Sequence, residues 1–185
     1  MTKTTQSLST FSVPSGFRGR SAPYTQLWWL VQALLIRPSP QPFYGWRVFW
    51  LRCFGAKIGR GVKLRQSARV TYPWKVSIGD HSWIGDRAEL YSLDRIDIGA
   101  NVCISQDCYI CTGSHDMSDI AFGYDCAPIR IEDESWLAAG TFVAPGVTVG
   151  RGSVAGARSL VLRDMVPGMV YAGHPARPMR PRVTR

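Results

Sequence analysis

From Ile58 onward the chain repeats itself every six residues. The segments IGRGVK, IGDHSW, IGDRAE, IGANVC, ISQDCY, LAAGTF, VAPGVT, VGRGSV and AGARSL share one form. An aliphatic residue comes first, usually Gly or Ala second, and a small or β-branched residue fifth. The first positions run from Ile58, Leu64 and Val70 to Val149, Ala155 and Val161, with two-residue slips before Ile78 and Ile98 and one long break between Ile110 and Ile131. An amphipathic helix would space its apolar residues by three and four, and a hairpin sheet would alternate over longer runs between turn pairs. Neither fits. A short strand followed by a glycine-bearing corner does fit, and three such units close a triangular coil. Coils stacked at about 4.8 Å set each aliphatic first residue over its equivalent one coil away. The repeat therefore predicts an all-β chain folded as a parallel β-helix.

Other zones flank this repeat. Residues 1–22 are polar and rich in Ser and Thr, which predicts a flexible N-terminus. Residues 23–56 predict an N-terminal helical segment, two short helices split by RPSPQP, because proline lacks an amide hydrogen and clashes with the preceding turn. The β-helix domain occupies 57–166, and 167–185 is a basic C-terminal segment ending HPARPMRPRVTR. The helical segment is expected to cap the open end of the solenoid. Its tryptophans Trp28, Trp29, Trp46 and Trp50, set beside arginines, also point toward a lipid surface. The apolar run LWWLVQALLI is too short for a bilayer span, which needs about 20 residues.

A formal net charge of +9 favours anionic partners such as phosphates, nucleotides or an acidic membrane leaflet. No Lys-rich run or groove-reading motif accompanies it, so nucleic acid is not an expected partner. No apolar secretory core follows the start, and five cysteines make an odd count, so reduced thiols in the cytoplasm are expected.

The long break holds the residues with chemistry to explain. Cys103, Cys108 and Cys111, with Cys126 later, imitate iron–sulfur ligand spacing. The register argues otherwise: Cys108 is a fifth, inward-facing position, whereas Cys103 and Cys111 are sixth and second. A three-histidine zinc site, as in gamma-type carbonic anhydrases built on the same repeat, would need a cluster. His81 and His115 are more than one coil apart, and His174 follows the repeat. His115 itself ends the last regular strand, where HDMSDIAFGYDCAPIR begins an excursion over about 112–128. Long excursions from rigid scaffolds commonly carry function. An imidazole titrates near neutral pH and can take a proton from an attacking hydroxyl. On these residues alone a plain turn histidine stays open.

The stretches CISQDCYICTGSHDMSD and APGVTVGRGSVAGARSLVLRDM, closed by AGHPAR, resemble hexapeptide-repeat acyltransferases of the maltose/galactoside O-acetyltransferase type. They are most similar to the colanic acid (exopolysaccharide) biosynthesis acetyltransferases, and the resemblance extends over 27–180. It implies a left-handed β-helix, a homotrimer with active sites between subunits, acetyl-CoA as co-substrate, a saccharide hydroxyl as acceptor and no required metal. His115 matches the family's base, although the family's shorter TGH context has no counterpart of Ser114. Asp116 is a candidate for orienting the imidazole, from adjacency. Ala139 falls beside the pantetheine arm and Ala157 at another close backbone approach. Leu162 and Arg163 fall on a Thr-Lys pair that meets the nucleotide end, so Leu162 departs from the pattern and Arg163 keeps the cation. Arg177 and Arg180 match arginines facing CoA phosphates, a suitable use of guanidinium forks. Glu89 and Asp94 lie near the family's sugar-binding positions.

The expected function is an acetyl-CoA-dependent O-acetyltransferase in exopolysaccharide biosynthesis, working by direct attack in a ternary complex. An antibiotic acetyltransferase on the same scaffold and a noncatalytic β-helix scaffold protein are the alternatives. The aromatic-rich helices suggest peripheral contact with the inner membrane or a lipid-linked saccharide.

Overall fold

The structure, a computed structural model, describes residues 4–183. The remaining residues of the predicted flexible N-terminus and basic C-terminal segment, 1–3 and 184–185, lie outside the described residues. The repeat folds into a solenoid of five complete coils, each with one strand on each of three parallel sheets. The first face stacks Lys57–Ile58, Val76–Ile78, Ile96–Ile98, Ile129–Ile131 and Thr148–Val149 in that order. The second begins at Lys63–Leu64 and ends with Val154–Ala155 and Met169–Ala172, and the third runs from Arg69–Val70 to Leu160–Val161. Register is that of the hexads: Ile58 lies on Ile78, Ile78 on Ile98, and Ile98 on Ile131.

Packing explains each hexad position. First-position residues such as Ile84, Leu90, Ile104 and Ile110 are wholly buried in the triangular bore. Fifth-position residues fill the corners from inside, where Ala88, Val102 and Cys108 are buried and hydroxyls bond to nearby carbonyls. Ser82 Oγ, for example, donates to the Gly99 carbonyl at 2.7 Å and accepts from the Val102 amide at 3.0 Å. Where coils touch at the second position it is small: a Cβ on Gly79 would lie 2.5 Å from the Ala100 nitrogen. The fourth position turns the chain through positive φ, taken by Gly61 at 66° and, one coil on, by His81 at 60°. His81 is thus a corner residue of the scaffold, lying over the bare Cα of Gly61.

The N-terminal helices are α1 (Ala22–Val31), running into a π turn at Gln32–Ile36, and α2 (Tyr44–Cys53). They close the first coil by hydrogen bonds to all three of its edge strands. Arg52 Nη2 donates to the Ile58 carbonyl at 2.7 Å on the first face. Arg47 Nε donates to the Leu64 carbonyl at 2.7 Å on the second. On the third, Trp28 Nε1 donates to the Val70 carbonyl at 2.9 Å while Gln32 Oε1 accepts from the Val70 amide at 2.8 Å. An uncovered edge strand invites foreign pairing; here side chains occupy its polar groups. Trp28 is fully buried by this duty, which corrects its inclusion among the tryptophans expected at a lipid surface. The opposite end is closed by Arg177–Pro181, antiparallel to Met169–Ala172.

Candidate active site

The break between Ile110 and Ile131 leaves the solenoid at the edge between its third and first faces. It forms an antiparallel hairpin, Gly113–His115 against Tyr124–Cys126, with His115 paired to Tyr124. Thr112, fully buried, clamps the root. Its hydroxyl donates to the Tyr91 carbonyl at 2.7 Å and accepts from the Asp94 amide at 2.8 Å. Two carboxylates shape the tip. Asp116 accepts from the amide and hydroxyl of Ser118 at 2.8 and 2.6 Å, bonds that hold its carboxyl below the usual carboxylate range. Asp119 accepts from the amides of Ala121 and Gly123 at 2.9 and 3.1 Å.

This tip positions His115. Its Nδ1 lies 2.7 Å from the Phe122 carbonyl oxygen, and its ring stacks on that of Phe122 with centroids 4.2 Å apart at 8°. A carbonyl can only accept, so Nδ1 carries the hydrogen, and in the neutral ring Nε2 keeps its lone pair. The Nδ1–H partner is therefore the Phe122 carbonyl. Asp116, the candidate suggested by adjacency, lies just beyond that strand with its carboxylate turned to Ser118.

A second aromatic layer comes from the N-terminal segment, which the composition predicts to be flexible. The Ser7 amide donates to the Ile120 carbonyl at 2.8 Å at the hairpin tip. Phe11 meets His115 edge-on at 5.9 Å, and Phe17 stacks on Tyr124 at 4.4 Å and 6°. The segment is tied down again where Trp74 Nε1 donates to the Arg18 carbonyl at 2.6 Å and Lys75 Nζ to that of Phe17 at 2.8 Å. Burial pushes the Lys75 amine below its usual range, with Asp94 acting against the shift. Residues 7–18 thus form a strap over the hairpin. Phe11 and Phe17, the aromatic residues of an otherwise polar stretch, were the available sequence signal.

The other predicted residues are distributed around this edge. Asp94 borders a 240 Å³ cleft with Lys57, Trp74, Lys75 and Arg95. Glu89 sits on the third face between Arg69 and Tyr109, beside stacked Tyr91, Tyr109 and Phe142 at 5.8 and 5.7 Å. Leu162 and Arg163 are exposed on the edge that carries the hairpin, two coils further along. Ala139 and Ala157 lie across the third face, on the edge it shares with the second, where the Arg158 amide donates to the Ala139 carbonyl at 2.7 Å. Arg177 and Arg180 are exposed on the closing strand, opposite Ala172 and Val170. Ala139, Ala157, Leu162 and Arg163 accordingly flank the third face on its two edges, and Arg177 and Arg180 extend the second-face sheet.

The cysteines are unbridged, and Cys108 is buried in the bore, where burial pushes its thiol up to about 11. Among the described residues no group of three or more His, Cys, Asp or Glu side chains is placed to hold a metal ion. No helix among them is long and apolar enough to cross a membrane.

No family model matches the sequence. The chain is 52% identical over 178 residues to the putative colanic acid biosynthesis acetyltransferase WcaF of Escherichia coli K12, covering 96% of this chain and 98% of that one. Among solved structures it is similar to the hexapeptide-repeat acetyltransferase VCA0836 of Vibrio cholerae complexed with acetyl coenzyme A, with TM-score 0.80 and 26% identity over 90% of this chain and 92% of that one. A galactoside acetyltransferase in complex with coenzyme A shares the fold at TM-score 0.80 and 23% identity, covering 93% and 85% of the two chains. The same solenoid, and half the residues of WcaF over nearly its full length, show that the chain is an acyltransferase belonging to the hexapeptide-repeat acetyltransferases of the colanic acid biosynthesis type.

Proposed function

We propose that the protein transfers the acetyl group of acetyl-CoA to a saccharide hydroxyl in exopolysaccharide biosynthesis, with His115 as general base. The observation that carries this reading is the Nδ1–H bond from His115 to Phe122, which leaves Nε2 free to accept a proton. His115 Nε2 takes the hydroxyl proton as the sugar oxygen attacks the thioester carbonyl carbon. The C–S bond breaks, and the imidazolium returns the proton to the departing thiolate. An acetyl ester and free CoA result, without a covalent enzyme intermediate. The stacked Phe122 and edge-on Phe11 hold the imidazole plane throughout.

The donor side follows from side-chain chemistry. Arg163, Arg177 and Arg180 are exposed guanidinium groups suited to the phosphates of CoA. Ala139 and Ala157 leave a shallow rim for the pantetheine arm, and Leu162 offers apolar contact in place of a hydroxyl. Because these groups lie on two edges of the third face and on the second-face sheet of one chain, a homotrimer in which an adjoining subunit completes each site suits them. A backbone N–H of that subunit would hold the charge developing on the carbonyl oxygen. Glu89 and Asp94 are assigned to the acceptor side. The reaction is assigned to the cytoplasm, at the inner face of the membrane.

The test is release of CoA from acetyl-CoA across a panel of glycans and an antibiotic alcohol, run beside His115→Ala. A glycan should give the fastest turnover, and the variant should lose it. Wild-type turnover by the variant on its best acceptor would show the base assignment to be wrong.

A further inference from the structure

We infer that the outer surface of the helical cap is a docking site for an anionic lipid bilayer. Twelve of the 22 basic residues and none of the 13 acidic ones precede Asp80, so the N-terminal segment, cap and first coil together carry the positive excess of the chain. Such a division between two parts of one chain marks an electrostatic partner for one of them. Arg20 and Arg37 are exposed in this region, and neither forms an ion pair among the described residues.

The same surface is apolar. Leu27, Leu30 and Leu34 follow one another at three- and four-residue spacing and are 49, 54 and 60% exposed, although they are the most apolar residues of that stripe. The opposite side of the helix, with Trp28 and Val31, is the one packed on the solenoid. The stripe continues onto α2: Trp46 Nε1 donates to the Leu35 carbonyl at 2.8 Å, and Trp46 stacks with Phe49, which is 52% exposed. An exposed contiguous apolar patch on a folded chain marks an interaction surface. A patch of Leu, Trp and Phe edged by arginine and free of carboxylates matches lipid chains beneath anionic headgroups. An acidic protein partner would match the charge alone. The short helices cannot span, so this is attachment in the plane of the surface.

The inference is independent of the acyl-transfer reading, since binding is scored without either substrate. The full chain is sedimented with vesicles of phosphatidylcholine alone, and of phosphatidylcholine mixed with phosphatidylglycerol, at low and high salt. Binding is expected on the mixed vesicles only, weakened by salt, with a blue shift of tryptophan emission in the wild-type protein. Leu34→Glu combined with Phe49→Glu should lower the partition coefficient by about tenfold per side chain, while melting temperature and oligomeric state stay unchanged. Failure to bind mixed vesicles at low salt, or unchanged binding by the double variant, would overturn the inference. Dissociation of an oligomer by those substitutions would overturn it too, assigning the surface to contact between copies.

Discussion

His115 and Phe122 are joined twice across the hairpin, once by Nδ1 to the carbonyl oxygen at 2.7 Å and once by parallel rings 4.2 Å apart. The first contact fixes the tautomer and the second fixes the ring plane. Phe122 adopts a φ of 55°, a left-handed conformation that is uncommon for a bulky side chain. The fold thus places a strained residue where its carbonyl meets the imidazole.

The two contacts have separable consequences. On the proposed role of His115 as general base, His115→Ala should lower kcat by about 10²- to 10⁴-fold, with little change in melting temperature. Phe122→Ala keeps the carbonyl but removes the stacked ring. It should lower kcat by about tenfold with KM nearly unchanged, since positioning acts on the reacting geometry. Steady-state kinetics of both variants against one acceptor would check the order; equal losses would mean that Phe122 does more than position.

Much of this fold was legible in advance because a six-residue period leaves few solutions. The buried first positions, the small second ones and the inward Cys108 all follow from the register alone. The excursion was legible as an interruption, and its histidine as a residue to explain. What escaped was everything set by distant parts of the chain. No local pattern shows that Phe11 and Phe17 return to cover a hairpin a hundred residues later, or that the partner of His115 is a backbone carbonyl rather than the neighbouring Asp116. Trp28 misled for a related reason. An indole suits a lipid surface and a buried strand edge equally well, and only the bond to Val70 decides between them.

Arg47 offers a test of the cap. It is fully buried, and its guanidinium donates to the carbonyls of Leu64, Pro40 and Gln41 and to Ser39 Oγ. Burial lowers its pKa, the direction expected for a cation removed from water. Arg47→Ala would strand several buried acceptors at about 1–3 kcal/mol each, so a loss of about 3 kcal/mol or more is expected. Arg52→Ala, which also removes a bond to an edge strand but from an exposed side chain, should cost only about 1 kcal/mol. Urea denaturation of the two variants would measure the difference.

Corner glycines should divide by position. Gly79→Ala drives a Cβ to 2.5 Å from backbone atoms of the next coil, which cannot yield without parting the stack. A cost of about 3 kcal/mol is expected, at the upper end for overpacking. Gly152 has φ of 67° but nothing within 4 Å of its virtual Cβ. Gly152→Ala should cost only about 1 kcal/mol, the conformational penalty alone. Similar melting temperatures for the two variants would contradict the close-approach argument.

Cys108 predicts an alkaline weakness. Its folded-state value of about 11 exceeds the ordinary thiol value of 9.0, so the native chain holds the proton more tightly than the unfolded one. The stabilisation is complete below pH 9 and is lost as pH rises toward 11, with a size on the order of 2 kcal/mol. Cys108→Val, matching Val102 and Val147 at equivalent positions, should flatten that decline without harming stability at neutral pH. Denaturation between pH 8 and pH 11 would read the slope directly. An unchanged slope would assign the decline to other groups.

The strap supplies the last test. Phe17 stacks on Tyr124 and its carbonyl accepts from Lys75, so this residue joins the hairpin to the corner of the first coil. Phe17→Ala removes the stack but keeps the backbone bond, at a cost of about 1 kcal/mol or more in local order beyond the lost burial. Amide exchange should rise at 113–126 and stay unchanged in the coil strands around Ile104 and Val143, because a local opening need not pass through global unfolding. The turnover of the variant should fall together with that protection, since His115 rides on the hairpin that the strap covers. Faster exchange at 113–126 with wild-type turnover would mean that the strap stabilises the hairpin without contributing to the geometry of the imidazole.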